Sequence, residues 1–385
     1  MSPHINNRQT GGARIVRLIE ERIASGVYPP GSWLPAQRAL AEEAGVDRSV
    51  VRKAIAELIA RGVVIQHRGC RPVIGSAALP SPAPSAVAPA TIGVIIYQQD
   101  YYSCTLPLMR GIQNTLSHAE PSVRMLVQDT GARAIADTIA RQRRAIDEAI
   151  RDRIAGVILY AMGGRAAAGD IALLTAAGIP VVCVDRTVPG AVTDFVGVDD
   201  RIGARTAVGY LAGLGHARIG HVTAPLDEST VQERLAGYRD GLEAAGLLAD
   251  ESYIYAIDWF ASPATQLDAA ASYFISLENP PTALFVYNDT TAHRLINALE
   301  AKGIRVPDDM SICGFDDLDQ YSPRPRRLTT MHIPFERIGE IATERLLERI
   351  AGQAGISAPS RHMILETSLV VSATTAPPRA AQGAS

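Results

Sequence analysis

Only two lysines, Lys53 and Lys302, stand among the 37 basic residues of this 385-residue chain. A Schiff-base cofactor needs a positioned lysine. The one lysine in the larger part of the chain, Lys302, lies in Ala301-Lys302-Gly303-Ile304, a helix-to-strand turn unsuited to that role. Cysteine is just as sparse: Cys70, Cys104, Cys183 and Cys313 are widely scattered, with no Cys-x-x-Cys pair and no Cys/His cluster. That excludes a recognisable zinc site and fits reduced, buried thiols. No uncharged apolar run reaches the roughly 18 residues of a membrane span. The polar N-terminus lacks the apolar core of a secretion signal, so a cytoplasmic protein is expected. A GxxxxGK phosphate loop, an HExxH pair and a GxSxG elbow are all missing. No enzyme, cofactor or metal is expected.

What is present is an asymmetry. Residues 1–76 hold 11 Lys and Arg against 6 Asp and Glu, whereas the whole chain has a formal net charge of −3. A small basic module is thus joined to a larger acidic body, the balance of a DNA reader attached to something that avoids DNA. The length suggests two to three domains. A module over 1–76, a linker over 77–90, a body over 91–374 and a disordered tail over 375–385 are expected. The linker is uncharged and contains four prolines, which makes it semi-extended.

Within the first module, Ile15, Leu18, Ile19 and Ile23 mark one face of a helix over 13–24. Helices over about 36–43 and 47–60 follow, separated by Gly45. Val63-Val64-Ile65 and Pro72-Val73-Ile74 read as a two-stranded wing around His67-Arg68-Gly69. On a helical wheel Arg48, Ser49, Arg52 and Lys53 share one arc, while Val50, Val51, Ala54, Ile55 and Leu58 share the other. One face is cationic and the other packs, the arrangement that lays a helix in the major groove. Arginine forks onto guanine O6 and N7, and all four residues reach phosphates. A polar helix face alone is usually just solvated; the preceding helix, the glycine turn and the wing give this one its meaning.

Gly26, Pro30-Gly31, Leu34-Pro35, Arg38, Leu40-Ala41, Val46, Arg48, Val51-Arg52, Ala54, Leu58, Gly62 and Gly69 together resemble the winged helix-turn-helix of the GntR family over about residues 13–75. The resemblance implies DNA contacts from Arg38, Arg48, Ser49, Arg52, Lys53 and the wing tip Arg68-Gly69. Gln37 and Asp47 replace the usual acid and serine, and Asp47 is as good a helix cap as serine. Cys70-Arg71 stands where a second wing glycine is common.

From Thr91 short apolar strands alternate with helices. Strands are expected at Ile92–Tyr97, Arg124–Gln128, Gly156–Tyr160, Pro180–Val184, Ile219–Val222, Thr282–Val286 and Ser311–Phe315. Continuous apolar strands between helices imply parallel sheets covered on both faces. About 285 residues exceed one small sheet, so two lobes are expected. The fold class is therefore α/β: an N-terminal winged helix-turn-helix followed by two parallel, doubly wound sheets.

Three segments carry the chemistry of the body. One is Pro180–Arg186, a strand ending in Asp185-Arg186. Another is Leu214-Gly215-His216 with the later Glu233-Arg234-Leu235-Ala236-Gly237-Tyr238. The last is Tyr287-Asn288-Asp289 with Val306–Asp317 and Leu328-Thr329-Thr330. Asp185 and Asp289 could each be plain helix caps, and Arg234 an ion pair between lobes. Against this, strand C-termini in open α/β sheets line the ligand crevice. Carboxylates accept from the hydroxyls of a sugar, guanidinium groups donate in a fixed fork, and an aromatic ring covers its apolar face.

Together these segments resemble, over about residues 91–372, the effector core of lactose-repressor-type regulators, which is similar to periplasmic sugar-binding proteins. The resemblance implies ligand contacts from Arg234 and Asp289 above all, from Asp185-Arg186, and from Trp259 as the aromatic cover. Asp100, Tyr101 and Tyr102 would close the first lobe, and Thr230 and Asp316 are further candidates. The combination looks like that of arabinose-type repressors. It implies a homodimer on a palindromic double-stranded DNA operator, released by a small sugar, with no membrane partner. A nucleoside effector, an effector-independent DNA-binding protein and a transport solute receptor are the competing readings; the basic module argues against the last.

Overall fold

The computed structural model describes residues 7–24, 27–28, 32–61, 63–66, 72–74, 91–96, 104–116, 122–125, 134–258, 263–320, 327–352 and 359–379. They divide into two compact units, one ending at Ala88 and the other starting at Pro89. The expected linker, 77–90, lies outside the described residues.

The first unit consists of α1 (Asn7–Ala24), α2 (Gln37–Ala44), α3 (Arg48–Ala60) and an antiparallel pair, β1 (Val64–Ile65) with β2 (Val73–Ile74). Gly45 ends α2 with φ 63°, a left-handed conformation that costs glycine little. Two residues later Asp47 caps α3, its carboxylate accepting from the Ser49 N–H at 2.8 Å. The chain therefore turns sharply between the two helices. Ile15, Ile19, Leu34, Leu40, Val51, Ile55 and Leu58 are fully or almost fully buried between them. The wing is anchored at its base, where Leu34 N–H donates to Pro72 O and Ile74 N–H to Ser32 O, both at 2.9 Å.

The second unit contains two lobes. The first lobe's sheet is built from β3 (Thr91–Ile95), β4 (Ser122–Met125), β5 (Gly156–Leu159), β6 (Val181–Val184), β7 (Asp194–Val198) and β13 (His362–Leu365). Its order is β13-β7-β6-β5-β3-β4, and every pairing is parallel. The second lobe's sheet is built from β8 (Ile219–Thr223), β9 (Ile254–Ala256), β10 (Ala283–Val286), β11 (Ser311–Asp316), β12 (Thr329–His332) and β14 (Ser368–Val370). Its order is β14-β12-β11-β10-β8-β9, parallel except for β14 against β12. Strands β5, β6, β7, β8 and β10 are buried at every position, and β5, β6 and β10 are accordingly unbroken apolar runs.

The helices are α4 (Thr105–Leu116), α5 (Ile135–Arg151), α6 (Ala168–Ala176), α7 (Asp200–Gly213), α8 (Ser229–Ala244), α9 (Pro263–Ser276), α10 (Asp289–Ala301) and α11 (Phe335–Ile350). The chain passes between lobes three times: from β7 into α7, from β12 into α11, and from β13 into β14. Helix α11 returns to the first lobe and crosses α4 at glycines. A Cβ on Gly339 would lie 2.3 Å from Leu108 O, so only glycine permits the approach.

The expected strands from Ile92 to Phe315 are all present; β4 starts at Ser122, two residues before its expected start, and 126–128 lie outside the described residues. Strands β7, β9, β12, β13 and β14 went unrecognised. Strand β7 opens on Asp194, and β13 and β14 are partly exposed pieces that join sheets formed by distant strands. The tail also differs from expectation. Residues 375–379 are packed: Thr375 Oγ1 bonds Tyr210 Oη at 3.0 Å, and Ala376 N–H donates to Ser311 Oγ at 3.0 Å. Local composition alone reads as disorder there because the partners lie over 60 residues away. Among the described residues no helix is long and apolar enough to cross a membrane.

A buried ionic knot fastens α11 to the first lobe. Asp194 accepts from Arg349 Nε at 2.7 Å, Arg345 Nη2 at 3.2 Å and the Arg361 N–H at 2.7 Å. Burial disfavours its charge, but the bonds from Arg349, the Arg361 backbone and Arg345 hold it below the ordinary carboxylate range. Asp194→Ala would strand two buried guanidinium groups and is expected to cost about 3–5 kcal/mol of stability. The lowered folded-state pKa means this contribution is full above the unfolded carboxylate value of about 3.9 and is lost as pH falls below it. Thermal unfolding of the two proteins should therefore differ at neutral pH and converge in strong acid.

Candidate functional site

Two groups of expected residues fall in separate units. In the first unit Arg48, Ser49, Arg52 and Lys53 are exposed on α3, opposite the buried Val51, Ala54, Ile55 and Leu58. Arg48 and Ser49 occupy its first turn, at the positive end of the helix dipole, which attracts phosphate. Arg38 projects from α2, its Nε held 3.0 Å from Glu42 Oε1 in an exposed pair. That pair is weak and easily exchanged for a phosphate. The wing tip, Arg68-Gly69, lies outside the described residues.

In the second unit the strand ends bring a cluster of charges together. Asp185 follows β6 and Asp316 ends β11, with φ of 66° and 117°. Non-glycine residues rarely hold such backbones, and they collect at sites where a side chain must be aimed. Arg234 on α8 stands at the centre. Its Nε donates to Asp200 Oδ1 at 2.7 Å, and its Nη1 donates to Tyr287 O at 2.5 Å and lies 3.2 Å from Asp316 Oδ1. Its guanidinium carbon sits 3.9 Å from the centre of the Phe315 ring. Arg186 lies beside this group, with its Nε 3.7 Å from Asp185 Oδ2 and its guanidinium carbon 4.5 Å from the Tyr160 ring centre.

The electrostatics follow from burial. Desolvation disfavours charge on Arg234, but Asp200, Asp316 and Asp185 hold it firmly protonated. The same holds for Arg186, with Tyr160, Glu228 and Asp185 as its partners. For Asp200 and Asp316 burial prevails over the pull of Arg234 and raises both, helped by Asp185. Four carboxylates, Asp185, Asp200, Asp316 and Glu228, face two guanidinium groups, and Asp200 and Asp316 hold a proton more tightly than in water.

Asp289 is placed differently. It opens α10 one residue after the cap Asn288, and both its oxygens are engaged inside the second lobe. Oδ1 accepts from Thr330 Oγ1 at 2.6 Å and Oδ2 from the Leu318 N–H at 2.9 Å. Its bond to the Leu318 N–H holds the turn that follows Asp316. Asp319 continues the same brace, bonding His293 Nε2 at 2.7 Å and accepting from the Leu328 N–H at 2.9 Å. Thr230 is buried in the first turn of α8. Asp100, Tyr101, Tyr102 and Trp259 lie outside the described residues.

Asp200, Tyr160 and Glu228 were missed from sequence. Asp200 follows β7, and once that strand is recognised it meets the same criterion as Asp185: an acid at a strand's C-terminal end. Tyr160 is the residue after β5 and answers to the same rule.

Arg234→Met would leave Asp200 and Asp316 buried without their shared cation, at an expected cost of about 3–5 kcal/mol. Their raised folded pKa values set the sign: stability is highest below the unfolded carboxylate value and falls as pH rises through the folded one. The variant's loss in thermal midpoint should accordingly be greater at about pH 8 than at about pH 5.

Residues 12–71 match the model of bacterial regulatory proteins of the gntR family, and residues 208–375 match that of the periplasmic binding protein-like domain. The HTH-type transcriptional repressor PurR of Vibrio atlanticus is 37% identical over 45% of this chain and 51% of its own length. The repressor CytR of Escherichia coli is 33% identical over 45% of this chain and 50% of its own. The chain thus spans about half the length of the curated relatives it matches. A LacI family transcriptional regulator from Mycobacterium smegmatis shares 27% identity and a TM-score of 0.61, covering 74% of this chain and 99% of the other.

Proposed function

We propose that this chain, which joins a gntR-type helix-turn-helix to a periplasmic-binding-protein-like domain homologous to PurR and CytR, is a ligand-controlled transcriptional repressor. It acts in the cytoplasm, as a dimer on a palindromic operator. The observation that carries this reading is the convergence of Asp185, Asp200, Asp316, Arg186 and Arg234 at strand ends of a two-lobed unit, in a chain whose other unit exposes a cationic recognition helix.

The chemistry of the cluster suits a neutral polyhydroxyl effector. Carboxylates accept from adjacent hydroxyls while the two guanidinium groups donate. A surplus of acid disfavours phosphorylated or carboxylated ligands. Free sugars and the ribose of nucleosides both meet these terms. Asp185, Arg186, Arg234 and Asp316 are assigned the direct contacts, with Thr230 beside them and Asp289 positioning Asp316. Asp100, Tyr101, Tyr102 and Trp259 are assigned the remaining wall. An effector that prefers one arrangement of the lobes shifts the population of lobe angles and, through the dimer, the spacing of the reading heads. Arg38, Arg48, Ser49, Arg52, Lys53 and the Arg68-Gly69 wing tip are assigned the operator.

Thermal unfolding against pentoses, hexoses and nucleosides is expected to give a rise in midpoint with a neutral polyol, since a ligand of the folded state stabilises by mass action. Asp316→Asn should abolish that rise and leave operator affinity intact. Arg52→Ala should weaken operator binding by roughly ten- to hundredfold and leave the thermal response unchanged. Loss of both activities from either folded variant would overturn the two-module reading.

A further inference from the structure

Among the described contacts between the two lobes of the second unit is one short polar segment. Asp227, Glu228 and Ser229, where the second lobe enters α8, lie against two loops of the first lobe. Glu228 Oε1 accepts from the Gly163 N–H at 3.1 Å, and Asp227 Oδ2 from the Arg165 N–H at 3.4 Å. Ser229 Oγ accepts from the Thr187 N–H at 2.9 Å. Arg186 Nη1 stands 3.9 Å from Glu228 Oε1. Three consecutive side chains of one lobe thus satisfy three backbone donors of the other.

Gly164 is the seat of this contact. A Cβ there would lie 2.2 Å from Asp227 O and 2.7 Å from Asp227 Oδ2, and the residue has φ 52°. Any side chain at this position would drive the segment away. The approach therefore depends on glycine at 164, and Gly163 beside it is also left-handed at φ 97°. None of these bonds lies within either lobe's own sheet; each runs from one lobe to the other.

We infer that Gly163-Gly164 and Asp227-Glu228-Ser229 form an interlobe latch that favours the closed arrangement and sets how much free energy an effector must supply. It rests on the reading of the lobe junction as an effector cleft. Closure is a two-state equilibrium that the latch biases, and an effector selective for the closed arrangement binds more tightly the more that arrangement is already populated. Carboxylate and hydroxyl acceptors on backbone N–H groups give the latch modest strength, so it opens reversibly.

The latch is testable without effector or DNA, so its failure is distinct from a failure of the regulatory reading. Hydrogen exchange of the ligand-free full chain would be followed in peptides covering residues 160–167 and 185–189. The Gly163, Arg165 and Thr187 amides have their acceptors only when the lobes are closed, and slow exchange is expected. Gly164→Ala, Glu228→Ala and Ser229→Ala should each raise exchange in these peptides roughly two- to tenfold, the worth of one hydrogen bond. Exchange in β5 and β6 should stay unchanged. Ser229→Ala removes one acceptor and adds no bulk, so it keeps the test decisive if Gly164→Ala loosens the whole lobe. Fast exchange of these amides in the parent protein, or variants that exchange no faster than the parent, would overturn the latch.

Discussion

Arg234 is the interaction on which the second unit turns. One guanidinium group holds the first residue of α7, the end of β11 and the carbonyl after β10. It therefore ties a crossing from the first sheet to two strands of the second. Buried charges of this kind are costly unless paired, and the pairing here is nearly complete. The surrounding residues follow from that requirement. Phe315 supplies a flat face beneath the guanidinium, and Asp289 with Thr330 steadies the turn that delivers Asp316.

Strain and charge lie in the same places. Asp185, Asp316 and Asp317 adopt positive φ directly after β6 and β11, where parallel sheets leave their crevice open. A rigid sheet pays for such backbones through the packing of its buried strands. The result is carboxylates aimed in fixed directions rather than swept through solvent. Preorganisation of this kind suits recognition of hydroxyl groups, whose hydrogen bonds are directional.

The two ionic groups of the second unit have opposite tasks. Asp194 is enclosed by Arg345, Arg349 and a backbone N–H, and its pKa is lowered. It clamps one helix to one sheet and offers nothing outward. The Arg234 cluster has carboxylates whose pKa is raised, and it lies beside the junction of the two lobes. The first arrangement pairs its acid fully, whereas the second keeps more carboxylates than cations.

The amino-acid sequence determined the elements whose rules are local. The cationic and apolar arcs of α3, the Gly45 turn and the Asp47 cap were legible because helix period, left-handed turns and capping act within a few residues. The buried strands β5, β6, β8, β10 and β11 were legible because a strand covered on both faces must be apolar throughout. Strand ends likewise pointed to Asp185 and, more weakly, to Asp316. Tertiary structure alone decided the rest. Strands β7, β12, β13 and β14 owe their place to neighbours far away in sequence, and Asp200 became visible only with β7. The same long-range contacts gave Asp289 its position beside Thr330 and Leu318, packed residues 375–379, and brought Asp227–Ser229 against Gly163-Gly164. In each case the residue's environment is set by chain crossings between lobes, which no local periodicity encodes.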